Sequence, residues 1–230
     1  MTYIEPDGTK HVYSASGDND TIEILMPNTQ QLDVEFAKDS IEGLGYRNVI
    51  VGMFSENGIL IVPEETMPLV VEYDYMLSVN NGNIHAVLDK DVVHNISTLE
   101  GEVILNVHPA TNEDLNKNQI DAIGDNYAVS VSLQVSGNYV SQLGGTAEIS
   151  VKTDRDDVKV YYVDPSGALE FIESVYDGGD TIIDVSHFSI YMYEVPGGGK
   201  SDIPPIAIMF TSVIIMFLPL EILRWREKKE

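Results

Sequence analysis

From Ile203 to Leu220 the chain runs for 18 residues without a charge, and apolar character resumes after Glu221 with Ile222 and Leu223. An α-helix needs roughly 20 apolar residues to cross the hydrocarbon of a bilayer. The stretch 203–223 reaches that length if Glu221 lies at the headgroups. Pro204 and Pro205 suit a helix start, where a missing N–H costs little. Pro219 kinks the last turn, which a membrane helix tolerates. Trp225 stands among Arg224, Arg226, Lys228 and Lys229 as an interfacial anchor would. The run is apolar on every face, which fits an amphipathic core helix poorly. We therefore expect one transmembrane helix over 203–223 and a basic cytoplasmic tail over 224–230. The bias of Lys and Arg toward the cytoplasmic side then puts everything upstream outside the cell.

Charge supports the same division. Four of the 13 basic residues fall in the basic tail, leaving nine Lys/Arg against 34 Asp/Glu upstream of the apolar run. A surface this acidic repels phosphate backbones, so nucleic acid is excluded as a partner. The chain has no cysteine, which removes disulfides, thiolate metal sites and thiol catalysis together. The N-terminal stretch MTYIEPDGTKHVY lacks the basic and apolar regions of a signal peptide. The expectation is a chain that forms the C-terminal part of a longer exported protein, or one whose start is mis-assigned. A tail anchor with the acidic domain in the cytosol would break the charge rule and ranks behind both.

Upstream of the Gly-rich linker 196–202, strand signals dominate. TIEILMP (21–27), NVIVGMF (48–54) and GILIVP (58–63) carry alternating or continuous apolar residues, and LVVEYDYMLSV (69–79) extends the pattern. Asn57-Gly58 and Asn81-Gly82 are hairpin signals, and Pro6-Asp7-Gly8 is a third turn between Tyr3-Ile4 and Val12-Tyr13. A weak repeat with an offset of 52 aligns Phe36–Ile41 with Leu88–Val93. It predicts two strand–short helix–strand units, with Asp39 and Asp91 as N-caps. Another short helix is expected over Asp114–Ile123, ended by Gly124. YAVSVSLQV (127–135) puts Val129, Val131, Leu133 and Val135 on one face. Further short strands follow at 145–153, 158–164, 168–174, 181–185 and 188–195, separated by turns such as Pro165-Ser166-Gly167 and Asp177-Gly178-Gly179. This spacing predicts a mainly β chain of antiparallel β-sandwich modules with a few short helices. The expected division is a β-rich domain over 1–110 and a C-terminal sandwich module over 111–195.

The stretch from Ile120 to Tyr191 resembles a C-terminal module of bacterial and archaeal cell-surface and S-layer-associated proteins. IDAIGDNYAVSVSL, LGGTAEISV, VKVYYVDPSGALEFI and HFSIYMY carry the resemblance in order and spacing. NVIVGMFSENGILIVPEETM is similar to the strand–turn–strand–Pro–helix units that precede that module. The chain departs from it at Lys152, where a Pro is usual, and at Ser186, where an acidic residue is usual. The resemblance implies a surface-displayed stalk, spacer or adhesive module and carries no catalytic residues.

Residues that could carry chemistry are sparse. His11, His85, His94, His108 and His187 form no HExxH or H-x-H pair, and no Gly-x-Ser-x-Gly elbow is present. His187 reads as a packed turn histidine. Asp114, Asn116, Asn118 and Asp121 resemble part of a calcium loop, but Gln119 and Asp125 stand where Gly and Glu are required. Asp154, Asp156 and Asp157 are weak candidates for Ca²⁺ in a loop; the chain otherwise calls for no cofactor. Asn19-Asp20-Thr21 and Asn95-Ile96-Ser97 are N-glycosylation sequons, so Asn19 and Asn95 are candidate modification sites. No LPxTG-type sorting sequence precedes the apolar run. The expectation is a single-pass, non-catalytic surface protein whose partners are the bilayer and other surface or S-layer proteins. The alternatives are an extracytoplasmic subunit of a membrane complex and an exported enzyme with an unrecognised site.

Overall fold

The computed structural model describes residues 2–4, 10–12, 14–17, 20–27, 32–41 and 45–196. The expected membrane helix 203–223, the tail 224–230, nearly all of the linker, the Pro6-Asp7-Gly8 turn and Asn19 lie outside them. Among the described residues no helix is long and apolar enough to cross a membrane.

The chain opens with β1 (Thr2–Ile4), β2 (Lys10–Val12), β3 (Ser14–Gly17) and β4 (Thr21–Pro27). Next come α1 (Val34–Ile41), β5 (Asn48–Phe54), β6 (Ile59–Val62) and α2 (Met67–Glu72). They are followed by β7 (Met76–Asn80), β8 (Ile84–Leu88), α3 (Lys90–Ser97) and β9 (Val103–Pro109). Then follow α4 (Lys117–Ile123), β10 (Tyr127–Val135), β11 (Asn138–Tyr139), β12 (Ala147–Lys152) and β13 (Lys159–Val163). The described chain closes with β14 (Leu169–Ile172), β15 (Val175–Asp177), β16 (Asp180–Val185) and β17 (Ile190–Glu194). The fold is mainly β with a few short helices.

Apart from the β1–β2 pair, the strands form two sheets. One has eight strands in the order β15-β16-β12-β8-β7-β5-β4-β3. The other runs β14-β13-β17-β10-β9-β6, with β11 added to β10. The alternate residues of each sheet meet in one core. Ile22, Ile24, Val51, Leu77, Ala86 and Ile149 come from the first sheet, and Leu105, Val131, Leu133, Val160 and Tyr193 from the second. Val129, Val131, Leu133 and Val135 are all buried, as their alternation requires. Each such side chain contributes about 1.5–3 kcal/mol relative to exposure. Both sheets cross the boundary expected after residue 110, since β9 pairs β10 and β8 pairs β12.

Several local expectations are corrected. The sheets are not purely antiparallel: β4 pairs β5 and β5 pairs β7 in parallel. Parallel neighbours need a crossover, and α1 supplies one while β6 with α2 supplies the other. The stretch 69–79 is not one strand, because Pro68 sits in the first turn of α2 and only Met76–Asn80 is extended. Asn57-Gly58 makes a turn, with the Gly58 N–H donating to the Ser55 carbonyl at 2.7 Å, but no hairpin. Both edges of β5 are already taken by β4 and β7, so β6 enters the other sheet. Gly58 has φ +67° and an added Cβ would lie 1.8 Å from the Val107 oxygen, so the turn is fastened directly onto β9. Asn81-Gly82, in contrast, closes the β7–β8 hairpin.

The helix starts differ from those expected. Asp39 lies inside α1, and Asp91 lies in the first turn of α3. The α3 cap is Asp89, whose carboxylate accepts from the Val92 N–H at 2.7 Å and from the Thr146 N–H at 2.7 Å. It therefore ties the helix start to the entry of β12. Helix α4 begins at Lys117 rather than Asp114, with Asn116 and Gln119 forming a reciprocal capping box and Gly124 ending it. Asp89→Ala is expected to cost about 2 kcal/mol, a cap plus a second hydrogen bond. Asp91→Ala, at an exposed position, is expected to stay within about 0.5 kcal/mol of wild type. Chemical unfolding of the two variants side by side checks this assignment.

Candidate functional site

The outer faces of the two sheets gather the polar side chains, and each holds one cluster. On the eight-stranded sheet, alternation turns Glu23, Gly52, Ser78, His85 and Glu148 away from the core. Glu23 reaches across β5 to two further strands. Its Oε1 accepts from the Ser78 hydroxyl at 2.6 Å and lies 2.7 Å from His85 Nε2. The reach depends on Gly52, where a Cβ would sit 1.9 Å from Ser78 Oγ. Burial pushes the Glu23 carboxyl up, but His85, by hydrogen bond and charge, and Ser78 outweigh it and hold it below the ordinary value. Glu148 goes the other way, raised by burial and by Asp184 against the pull of His85. Here the serine donates to the carboxylate rather than to the imidazole. A nucleophilic serine needs the imidazole as its base, so this order of contacts is that of a closed polar bridge.

On the seven-stranded sheet a groove of about 510 Å³ opens on the outer face. Its floor is Asn106 and His108 from β9 with Ser130, Ser132 and Gln134 from β10. Its walls include Asp114 on one loop, Tyr139 and Ser141 at β11, and Phe188 and Ser189 before β17. The ladder sets the floor, because Ser130 lies opposite His108 and Ser132 opposite Asn106. His108 Nε2 faces Asp114 Oδ1 at 3.6 Å, and its Nδ1 lies 3.1 Å from the Pro109 oxygen. Both ring nitrogens thus point to groups other than Ser130. Asp114 also accepts from the Thr111 N–H at 2.7 Å and hydroxyl at 2.8 Å, which holds the wall loop. Asn106 Oδ1 is buried with no hydrogen-bond partner among the described residues.

The sites expected from sequence are placed as follows. Asn116 donates to the Pro165 oxygen at 2.9 Å and Gln119 donates to the Val163 oxygen at 3.2 Å. The calcium-like loop therefore uses its polar groups to fasten α4 onto the β13 turn. In the 154–157 loop, the Arg155 guanidinium forks onto Asp157 at 2.9 and 2.8 Å. That contact draws the Asp157 carboxyl below its ordinary value. Among the described residues no three potential ligands converge on a metal position. Asn95 lies in α3 and donates to the Leu143 oxygen at 2.8 Å, so a glycan there would have to displace that bond. His187 packs its ring edge-on against Tyr162 at 4.8 Å between centroids, and its carbonyl accepts from the Tyr191 hydroxyl. His94 is exposed on α3, and His11 lies in β2 opposite Tyr3.

Reading the sequence missed both clusters. The signal for the groove stood in YAVSVSLQV, whose second face is Ser130, Ser132 and Gln134, a run of uncharged hydrogen-bonding side chains. The signal for the other cluster was Glu23, a lone charge inside TIEILMP. No protein-family model matches this chain, and no curated protein matches it either.

The Glu23 bridge has a pH signature. Its folded carboxyl titrates below the ordinary 4.5, so its stabilisation is fully present above that value and is lost as pH falls through the lower folded one. Glu23→Gln keeps an acceptor but loses the charge. The unfolding free energies of wild type and variant are expected to differ most near neutral pH and to converge as pH falls below 4.5 and through the lower folded value. Parallel profiles from pH 7 to 3 would show that the carboxylate charge contributes nothing. Gly52→Ala should cost about 1–3 kcal/mol by forcing Ser78 aside.

Proposed function

We propose that this chain is a membrane-anchored cell-surface protein that displays a β-sandwich for binding or adhesion and carries out no catalysis. One juxtaposition carries the reading. β17 ends at Glu194 in the interior of the seven-stranded sheet, and the uncharged run from Ile203 follows after a linker with three glycines. A pull on such an anchor loads β17, which is bonded on one side to β10 and on the other to β13. Load is then shared between two ladders, as a stalk or adhesive module needs. The basic tail after the run orients the domain outward by the positive-inside rule, and the resemblance over Ile120–Tyr191 supports the same location.

The two polar clusters support binding over chemistry. In each, the imidazole is directed at a carboxylate and not at a serine. The groove, with its unengaged side chains, is the surface on which we place the contact.

A second reading, an extracytoplasmic subunit of a membrane complex, is favoured by one observation. Leu169 and Phe171 on β14 and Val175 and Tyr176 on β15 are exposed large apolar residues at the outer edges of the two sheets. A complex would migrate well above the 25.4 kDa chain in mild detergent.

The anchor is tested on the full chain. Wild type is expected to stay with membranes after carbonate washing, and the Ile214→Lys, Ile215→Lys double variant to be released, because each lysine costs about 3 kcal/mol at mid-membrane. Protease added to intact cells should digest the acidic domain. Wild type recovered in the carbonate supernatant, or a domain protected until lysis, counts against the proposal.

A further inference from the structure

We propose that the groove on the outer face of the seven-stranded sheet is a binding site for a neutral saccharide. This rests on the surface-binding reading above and adds the class of ligand.

The first ground is hydrogen-bonding capacity that the protein does not use. Ser130 is about nine-tenths buried and lines the groove, yet its hydroxyl takes no protein partner among the described residues. The side chains of Ser132, Gln134 and Ser189 are likewise unengaged there, and the Asn106 oxygen is orphaned. Buried polar groups are normally satisfied, so the Asn106 oxygen is an exception that an outside partner would explain, and the half-exposed Ser132, Gln134 and Ser189 beside it are open to the same partner. Hydroxyls and amides both donate and accept. They match a ligand whose groups do the same, which is the chemistry of sugar hydroxyls.

The second ground is the mixture of lining types. Tyr139 is 74% exposed at β11, and Phe188 lies on the same side of the groove. An exposed aromatic face beside amides and hydroxyls suits a pyranose, which offers C–H groups on one side and hydroxyls at its rim. The groove volume of about 510 Å³ lies within the roughly 300–1,000 Å³ of small-ligand sites.

Other ligand classes fit less well. No Lys or Arg lines the groove, while Glu113 and Asp114 do, so an anionic sugar or phosphate meets like charge. A peptide adding as a strand needs a free backbone edge, but the floor strands β9 and β10 are paired with each other over seven residues. An apolar ligand would strand the floor hydroxyls without partners.

The test uses the full chain in detergent micelles on an array of neutral, sulfated and sialylated oligosaccharides, followed by calorimetry with the strongest neutral ligand. We expect neutral glycans to bind. Tyr139→Ala should weaken that binding about tenfold, and Ser132→Ala should do so by a comparable factor through one lost hydrogen bond. Tyr139 projects into solvent, so its variant keeps the fold, which circular dichroism verifies. Binding of charged glycans alone, no glycan binding, or neutral binding unchanged in both variants would overturn the proposal. Membrane retention and protease exposure are read separately. A chain that is anchored and exposed but binds no neutral glycan loses the saccharide assignment alone.

Discussion

The β9–β10 ladder is the constraint on which the rest of the structure depends. Seven residue pairs, from Val129 with Pro109 to Val135 with Val103, join the strands on either side of α4. Period-two alternation along this ladder does two things at once. It sends Leu105, Val107, Val131 and Leu133 into the shared core, and it sends Asn106, His108, Ser130 and Ser132 to the opposite face. A one-residue slip would exchange the two sets, placing hydroxyls in the core and valines in the groove. The core and the candidate site are therefore specified by the same register. Helix α4 covers a neighbouring part of that outer face, where Ile123 packs with Val163, Ile190 and Met192. The groove is what the helix leaves uncovered.

The polar face of the other sheet solves a different problem. An acidic chain must keep its carboxylates either solvated or paired. Glu23 is held mostly inside, its side chain 14% exposed, and it stays ionised because an imidazole and a hydroxyl both turn to it. Glu148, lacking such partners and facing Asp184 across the β12–β16 ladder, is instead pushed toward its neutral form. The pair shows how one sheet face sorts its acids by what lies opposite. It also shows why a serine, a histidine and a glutamate in contact need not amount to a catalytic unit. The order of the contacts decides, and here the acid occupies the middle.

Strand existence was legible because it rests on local alternation. TIEILMP, NVIVGMF and YAVSVSLQV coincide with β4, β5 and β10. What was not legible is how strands choose neighbours. Asn57-Gly58 and Asn81-Gly82 carry the same dipeptide, yet one sends the chain to the other sheet and one closes a hairpin. The difference lies in partners far along the chain, above all Val107, against which Gly58 is packed. The start of α3 was misplaced where a distant partner enters: Asp89, not Asp91, accepts from the Val92 N–H, and it also accepts from Thr146, fifty-seven positions away. The candidate groove was half legible, its serines visible in β10 but their convergence with His108, Tyr139 and Phe188 being a product of tertiary packing. The calcium-like spacing at Asp114–Asp121 shows how capping draws on the same residue types as metal binding, since Asn116 and Gln119 form the capping box of α4.

The repeat gives the sharpest case of context overriding local pattern. Both segments lie in a strand, short helix, strand unit, β4-α1-β5 and β8-α3-β9, although the aligned residues are out of register: Phe36 is inside α1, whereas Leu88 closes β8. The first copy returns beside itself, with β5 parallel to β4. The second cannot. In the finished sheet β8 is flanked by β7 on one side and β12 on the other, so no edge remains for β9. The strand leaving α3 must therefore enter the opposite sheet, where it lies between β6 and β10. Asp89 stands at the junction of β8 and α3, where its carboxylate holds the start of the helix and the residue preceding β12 together. The diversion of β9 into the opposite sheet brings it to β10 and so builds the groove floor.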